Sequence, residues 1–235
     1  MFTIERSILD IREGEQLLDV GCGNGRHSWG FYSDVDCSVC ALDIGEDNLI
    51  KTKFTLRLIE EREQRDGGWL AIRGDAVCLP FRDCTFDKVI CSEVLEHLED
   101  DAKGMRELVR VLKDGGRLAV SVPAFVPEAV FWKLSKDYHT GPGTHVRIYR
   151  VGQLLDLLRQ HGLRVVGIRR RHGLHSPYWL LRCIFGVHRE GALLPSLYHR
   201  FLVWDMTTCH RPVRWLESLF DHMFPKSIVV YAEKG

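Results

Sequence analysis

No apolar run in the 235-residue chain approaches the roughly 20 residues that a membrane-spanning helix needs. Net charge is absent too, since Lys+Arg and Asp+Glu each total 32, which argues against a protein held to nucleic acid by overall charge. The eight cysteines (Cys22, Cys37, Cys40, Cys78, Cys84, Cys91, Cys183, Cys209) lack the spacing of a zinc cluster. Only Cys37 and Cys40 form a C-x-x-C pair, and no second pair follows. Several of the others lie in apolar runs, where a reduced cysteine behaves as a small core residue. The N-terminus lacks the basic, apolar, small-residue order of a secretion signal, so a reducing, cytoplasmic setting is expected.

What is present is ordinary globular material, 45% hydrophobic and 27% charged, long enough for one full hydrophobic core. The neutral total hides an asymmetry. Residues 1–135 carry 17 basic and 25 acidic side chains, whereas residues 136–235 carry 15 and 7.

Short apolar runs of strand length alternate with segments of helical spacing. Strands are expected at Leu17–Val20, Val39–Asp43, Leu70–Arg73, Phe86–Ser92, Gly116–Val122 and Leu163–Arg169, with a last one at Ser227–Ala232 after a long interruption. Helices are expected over Arg26–Ser33, Glu46–Arg65, Asp100–Lys113 and Val151–His161. Strand and helix in turn predict a doubly wound α/β sheet.

Three strand ends carry chemistry. Leu17-Leu18-Asp19-Val20-Gly21-Cys22-Gly23-Asn24-Gly25 is a buried strand opening into glycines at alternate positions, with a helix following. Such a loop lets backbone approach a ligand closely and offers helix N–H groups to an anion. The dinucleotide fingerprint requires glycine where this chain has Arg26, and Asp19 suits an amino group better than a pyrophosphate. About 20 residues on, Ala41-Leu42-Asp43-Ile44 puts a carboxylate where it can accept both hydroxyls of a ribose. After the next strand, the carboxylate of Gly74-Asp75-Ala76 can accept a bond from an adenine amino group.

These motifs, with Phe86-Asp87-Lys88-Val89-Ile90 and Leu112-Lys113-Asp114-Gly115-Gly116-Arg117-Leu118, resemble the class I S-adenosylmethionine-dependent methyltransferases over roughly residues 15–170. The resemblance implies a Rossmann-like, seven-stranded sheet with an antiparallel last strand. It also implies S-adenosylmethionine as cofactor, with Asp19, Gly21, Gly23 and Gly25 near its methionine end, Asp43 and Ile44 on the ribose, Asp75 and Ala76 on the adenine, and Ser92 nearby. The reaction implied is in-line methyl transfer to a nucleophile that the protein places and deprotonates.

In Cys91-Ser92-Glu93-Val94-Leu95-Glu96-His97-Leu98, a helix would put Glu93, Glu96 and His97 on one face. The cluster resembles the Glu-x-x-Glu-His element of some metal-assisted O-methyltransferases, including quinol and small-RNA methylating enzymes, which implies a divalent cation on Glu93, Glu96 and His97. His145 or His139, in Tyr138-His139-Thr140-Gly141-Pro142-Gly143-Thr144-His145, is then a candidate to complete the site. The metal-free alternative makes His97, His145 or His139 a general base, a role suited to an imidazole pKa near 6.5.

The core is expected to comprise residues 1–171 and 226–235. Residues 172–225 form a helical lid inserted between the sixth and seventh strands, with 123–145 contributing. The lid interleaves Tyr178, Trp179, Phe185, Tyr198, Phe201, Trp204, Trp215, Phe220 and Phe224 with Arg182, Arg189, Arg200, Arg211 and Arg214. Such a surface suits a small hydrophobic or lipid-like acceptor, methylated on oxygen, with peripheral membrane contact through the lid. The alternative is an RNA methyltransferase whose basic C-terminal half, with its run Arg169-Arg170-Arg171, follows the phosphate backbone.

Overall fold

The computed structural model describes residues 2–63, 67–140, 144–187, 189, 191–208 and 211–235. Arg65, Gly141, Pro142, Gly143 and Cys209 lie outside the described residues. Seven strands form one sheet: β1 (Gln16–Val20), β2 (Ser38–Asp43), β3 (Trp69–Arg73), β4 (Phe86–Ser92), β5 (Leu112–Pro123), β6 (Leu163–Arg171) and β7 (Ser227–Lys234). Their order is β3-β2-β1-β4-β5-β7-β6, with β7 antiparallel to both neighbours and the other pairs parallel. The expected doubly wound α/β architecture is therefore observed.

Side chains of a strand alternate between faces, and the central strands are apolar on both. Leu18, Val20, Val89, Cys91 and Val120 face one layer, built with α4 (Asp101–Val111) and α7 (Val151–Gln160). Leu17, Val39, Ile90, Ala119 and Tyr231 face the other, built with α2 (Arg26–Asp34) and α3 (Glu46–Glu63). Cys37 and Cys40 divide between these two layers, and the seven described cysteines are free thiols. A short α1 (Arg6–Leu9) precedes β1.

Most boundaries move by one or two residues, and the junction of α4 and β5 departs furthest from the sequence expectation. The helix expected to reach Lys113 ends at Val111, and β5 begins at Leu112, four residues before its expected start at Gly116. Leu112 pairs with Phe86, and the Lys113 ammonium bonds both carboxylate oxygens of Asp87 at 2.8 and 2.9 Å. The turn residues are thus drawn into the sheet. A register shift opposite Phe86 and Lys88 absorbs the irregularity.

After β5 come α5 (Phe125–Leu134) and α6 (Lys136–His139). Between β6 and β7 stand α8 (His175–Phe185), α9 (Leu193–Thr208) and α10 (Arg211–Met223). Polar ties attach this insertion: Gly173 N–H donates to Asp221 Oδ1 at 2.6 Å, and Tyr198 OH donates to Leu174 O at 3.0 Å. The Arg214 guanidinium bridges the buried carboxylates of Asp205 and Glu217. No described helix is long and apolar enough to cross a membrane.

Gly173 is where the backbone of α10 crosses the end of β6. A Cβ there would stand 2.3 Å from the carbonyl carbon of Phe220 and 2.4 Å from the amide nitrogen of Asp221. Gly173→Ala must push α10 outward. The expected outcome is a loss of about 1–3 kcal/mol in urea unfolding, the usual cost of overpacking, with faster proteolytic cleavage between α8 and α9. Unchanged stability and cleavage would contradict this packing.

Candidate active site

The strand order reverses direction between β1 and β4. Connections leave these two strands toward opposite sides, so a crevice opens beyond their carboxyl ends, the usual ligand position in open α/β sheets. The glycine loop lies there. Gly21 has φ +67, and a Cβ on it would stand 2.3 Å from a Val94 methyl. Gly23 has φ +55 and nothing within 4 Å of its Cβ position, so this part of the loop borders open space.

Two carboxylates hold the loop. Asp19, at the end of β1, is buried and accepts from Ser28 N at 3.0 Å and Ser28 Oγ at 2.6 Å, through one oxygen, Oδ2. It thereby satisfies an otherwise orphaned amide in the first turn of α2. Burial pushes its pKa up to about 6, against the opposing pull of the Ser28 bonds. Asp43, at the end of β2, accepts from Gly23 N at 2.8 Å with Oδ2, and from Gly45 N at 2.7 Å and Asn48 Nδ2 at 3.1 Å with Oδ1. A carboxylate offers about four acceptor positions, so Oδ2 retains one for a ligand hydroxyl. Next to it, Ile44 is 66% exposed, an apolar surface at the rim. Beyond β3, Asp75 is exposed and its Oδ1 accepts from Val77 N at 3.0 Å, while Ala76 is buried. Ser92 Oγ bonds Ser121 Oγ at 2.9 Å.

The segment after β4 differs from the expected helix. Glu93 takes a left-handed conformation (φ +57), and only a 3-10 turn, Leu95–His97, follows. Glu93 is therefore not brought onto one face with Glu96 and His97. Its Oε1 accepts from Ser121 Oγ at 3.0 Å instead. Single donor atoms from Glu96, His97 and His145 do lie within 4.8 Å of one another. The irregular stretch around His145 is docked on the turn by Val146 N donating to Glu96 O at 2.9 Å, and His97 Nδ1 lies 3.3 Å from Thr144 O. The His97 and His145 rings stand 4.8 Å apart, edge to face. Glu96 is fully buried and neither side-chain oxygen has a hydrogen-bond partner. Burial and the Glu93 carboxylate push its pKa well up, while burial and His145 push that of His97 down. His139 makes other contacts: its ring stacks on Trp132, and Nδ1 lies 3.0 Å from Ser135 O.

Glu128, Tyr138 and Lys226 also converge here, and the sequence reading had not singled them out. Glu128 Oε1 lies 2.6 Å from His145 Nδ1, and its Oε2 accepts from Tyr138 OH at 3.1 Å and Lys226 Nζ at 3.2 Å. A lone acid in the apolar helix Phe-Val-Pro-Glu-Ala-Val-Phe-Trp was the available signal.

Residues 18–120 match the family described as a methyltransferase domain. The chain is 33% identical over 127 residues to a 27-O-demethylrifamycin SV methyltransferase of Amycolatopsis mediterranei, taking in 51% of this chain and 43% of that protein. It is 36% identical over 117 residues to a demethylmenaquinone methyltransferase of Renibacterium salmoninarum, covering 48% of this chain and 45% of the other. The chain thus spans about half the length of the curated relatives it matches. Among solved structures, an S-adenosylmethionine-dependent methyltransferase from Mesorhizobium loti superposes with a TM-score of 0.61 at 18% identity, covering 97% of this chain and 95% of that one. The [4+2]-cyclase SpnF superposes with 0.64 at 19% identity, over 97% and 77%, so the fold by itself does not name a reaction. Residues 18–120 form a class I S-adenosylmethionine-dependent methyltransferase domain. S-adenosylmethionine is the cofactor of this class, and the open space over Gly23, the spare acceptor on Asp43 and the exposed Ile44 fit such a nucleoside.

Two outcomes follow from the loop. Asp43→Ala is expected to weaken cofactor binding by roughly 1–3 kcal/mol in calorimetry; equal affinity would remove Asp43 from the ribose. Asp19 carries a raised pKa, so the folded state holds its proton more tightly than the unfolded chain between the ordinary value of 3.8 and about 6. Its contribution to stability is full below that window and is lost as pH rises through it, by at most about 3 kcal/mol. Asp19→Asn should flatten that part of the stability profile in urea titrations; an unchanged slope would contradict the burial argument.

Proposed function

We propose that the chain is an active S-adenosylmethionine-dependent methyltransferase that methylates an oxygen of a small, apolar acceptor. The observation that carries this reading is the histidine pair His97 and His145, packed beside buried carboxylates on the turn after β4 whose Val94 lies against Gly21 of the glycine loop. Asp19, Gly21, Gly23 and Gly25 hold the methionine end of the cofactor, Asp43 and Ile44 the ribose, Asp75 and Ala76 the adenine, and Ser92 lies below the reacting centre. When bound, S-adenosylmethionine supplies a sulfonium methyl group for in-line transfer. His145 accepts the acceptor's hydroxyl proton, His97 flanks it, and the helices keep water out. His139, stacked on Trp132, supports the wall and not the proton transfer.

Residues 1–171 and 226–235 are the cofactor-binding core in this reading, and 172–225 with 123–145 cover the acceptor. A groove of about 290 Å³ between α5, α8 and α10, lined by Val126, Val130, Phe131, Leu180, Phe220 and Phe224, supports an apolar acceptor. The names of the relatives, which speak of a demethylated rifamycin and a demethylmenaquinone, point to ring-bearing molecules of that kind. Exposed Leu193, Leu197, Trp204 and Trp215 on the insertion suit peripheral contact with the membrane in which such acceptors dissolve. The RNA alternative loses its densest basic run to internal partners. Arg169 and Arg171 pair with Glu5, and Arg170 Nη1 donates to His222 O at 3.2 Å.

A second reading has its own observation. Glu96, with two unpartnered oxygens in a fully buried position, joins His97 and His145 in a set compact enough to take a divalent cation. Such an ion would lower the pKa of an acceptor hydroxyl. Glu93 would then lie outside the ligand set.

Labelled methyl transfer from S-adenosylmethionine to a naphthohydroquinone and to RNA tests the reading. Transfer to the hydroquinone, insensitive to salt, is expected; transfer to RNA that weakens steeply with salt would replace it. His145→Ala and His97→Ala should cut turnover, by about 100-fold or more for the base, with cofactor affinity nearly intact. Equal turnover would remove them from the mechanism. Full activity in excess EDTA is expected of the histidine base, and loss of activity restored by a divalent cation would establish the metal instead.

A further inference from the structure

We propose that Glu128 is the positioning residue that sets the tautomer of His145, pinning a proton on Nδ1 so that Nε2 is the ring's only basic atom. This rests on the reading of His145 given above, but it concerns a residue and a proton location which that reading leaves open.

The argument begins with what Glu128 is doing inside an apolar helix. It is 1% exposed, and a buried carboxylate is costly unless its lone pairs are satisfied. Four donors satisfy it. Trp132 Nε1, one turn on in α5, lies 3.2 Å from Oε1, and His145 Nδ1 lies 2.6 Å from the same oxygen. Tyr138 OH at 3.1 Å and Lys226 Nζ at 3.2 Å hold Oε2, and Lys226 Nζ also approaches Tyr138 OH at 3.3 Å. With both oxygens held from two sides, the carboxylate plane cannot rotate. Trp132 Nε1 and Lys226 Nζ can only donate, so each oxygen of Glu128 accepts and the group is the ionised carboxylate, with no hydrogen of its own to give.

An acceptor at 2.6 Å dictates the state of the nitrogen facing it. Nδ1 must carry hydrogen, and in a neutral imidazole that leaves the lone pair on Nε2. The other groups around His145 do not offer a competing partner for this proton. Tyr138 presents its ring edge-on at 6.4 Å and spends its hydroxyl on Glu128. His97 meets the ring at 4.8 Å with its own Nδ1 turned to Thr144 O. Glu93 is bonded to Ser121, Glu96 makes no side-chain hydrogen bond, and Lys226 is tied to Glu128. Glu128 is thus placed to hold one tautomer and one ring orientation. That is the same service whether Nε2 takes a proton from the acceptor or binds a cation.

The test begins with the unmodified protein. Histidine labelled with ¹⁵N is read in long-range ¹H–¹⁵N spectra near pH 9, about 2.5 units above the ordinary imidazole pKa. The His145 signals are identified by their loss in His145→Asn. The expected spectrum has His145 protonated on Nδ1 and bare on Nε2. Glu128→Gln, whose amide can itself donate to Nδ1, should lose or mix that tautomer, and Glu128→Asp should retain it in part. With a naphthohydroquinone acceptor, Glu128→Gln should lower kcat about 10–100-fold while the acceptor KM and the cofactor Kd stay within about twofold, and Glu128→Asp should recover part of kcat. A merely structural role would lower the melting temperature and leave tautomer and kcat per folded molecule alone. A parent spectrum with hydrogen on Nε2, or a Glu128→Gln variant with parental tautomer and kcat, overturns the proposal. The spectra need no turnover, so a pinned tautomer in a protein that methylates nothing counts against the proposed function and not against Glu128.

Discussion

Everything in this molecule depends on the reversal of strand order between β1 and β4. Because the chain leaves those neighbouring strands toward opposite faces, no connection covers their carboxyl ends, and a crevice remains in an otherwise close-packed sheet. The crevice costs little stability, since the strands beneath it are apolar on both faces and bury Leu17, Leu18, Val89 and Ile90 completely. Polar groups can then gather above without weakening the layer below. Asp19 and Asp43 do so in different ways. Asp19 is sunk into the sheet edge and braces the first turn of α2, while Asp43 braces the loop and keeps an acceptor at the surface.

The side of the crevice after β4 has a different electrostatic character. Three glutamates, two histidines and a lysine gather there, from the fully buried Glu96 to the exposed His97. Their charges are sorted by partners and not by solvent: Glu128 is paired with Lys226 and His145, whereas Glu96 has neither cation nor donor and favours the neutral acid. Such a division of neighbouring carboxylates into one charged and one neutral is a common way to prepare proton transfer in a site. The apolar groove between α5, α8 and α10 adjoins the helix that carries Glu128, so the buried charged cluster and an apolar surface share one element.

The strand-end residues of this arrangement are legible in the sequence, as are Glu96, His97 and His145, which the structure brings together, whereas Glu128 and Lys226 are not. Gly21, Gly23, Asp43 and Asp75 lie at or just beyond the ends of short apolar runs, so a local pattern locates them on one sheet edge. The same holds for the order of strands and helices through Gln160. Local spacing places Lys113 in the preceding helix because its partner, Asp87, lies 26 residues away, beyond any helical window. The same spacing makes Glu93 helical because its positive φ, with its amide docked on Ser121, leaves no trace in residue type. Glu128 and Lys226 meet across 98 residues, and His145 reaches Glu128 through a segment with no repeating pattern at all. Local periodicity reports which side of an element faces the core; it does not report which distant polar groups the core brings together.

The central claim is that the crevice at the β1/β4 reversal holds the nucleoside, with the sugar on Asp43 and the sulfur turned toward the histidine pair. A crystal structure with S-adenosylhomocysteine tests it most directly. The account predicts ribose hydroxyls within hydrogen-bond distance of Asp43 Oδ2 and beside Ile44, adenine beside Asp75 and Ala76, and the sulfur on the side of His97 and His145. A nucleoside lodged elsewhere, such as the cavity bordered by Phe2, Arg171 and Glu217, would contradict it.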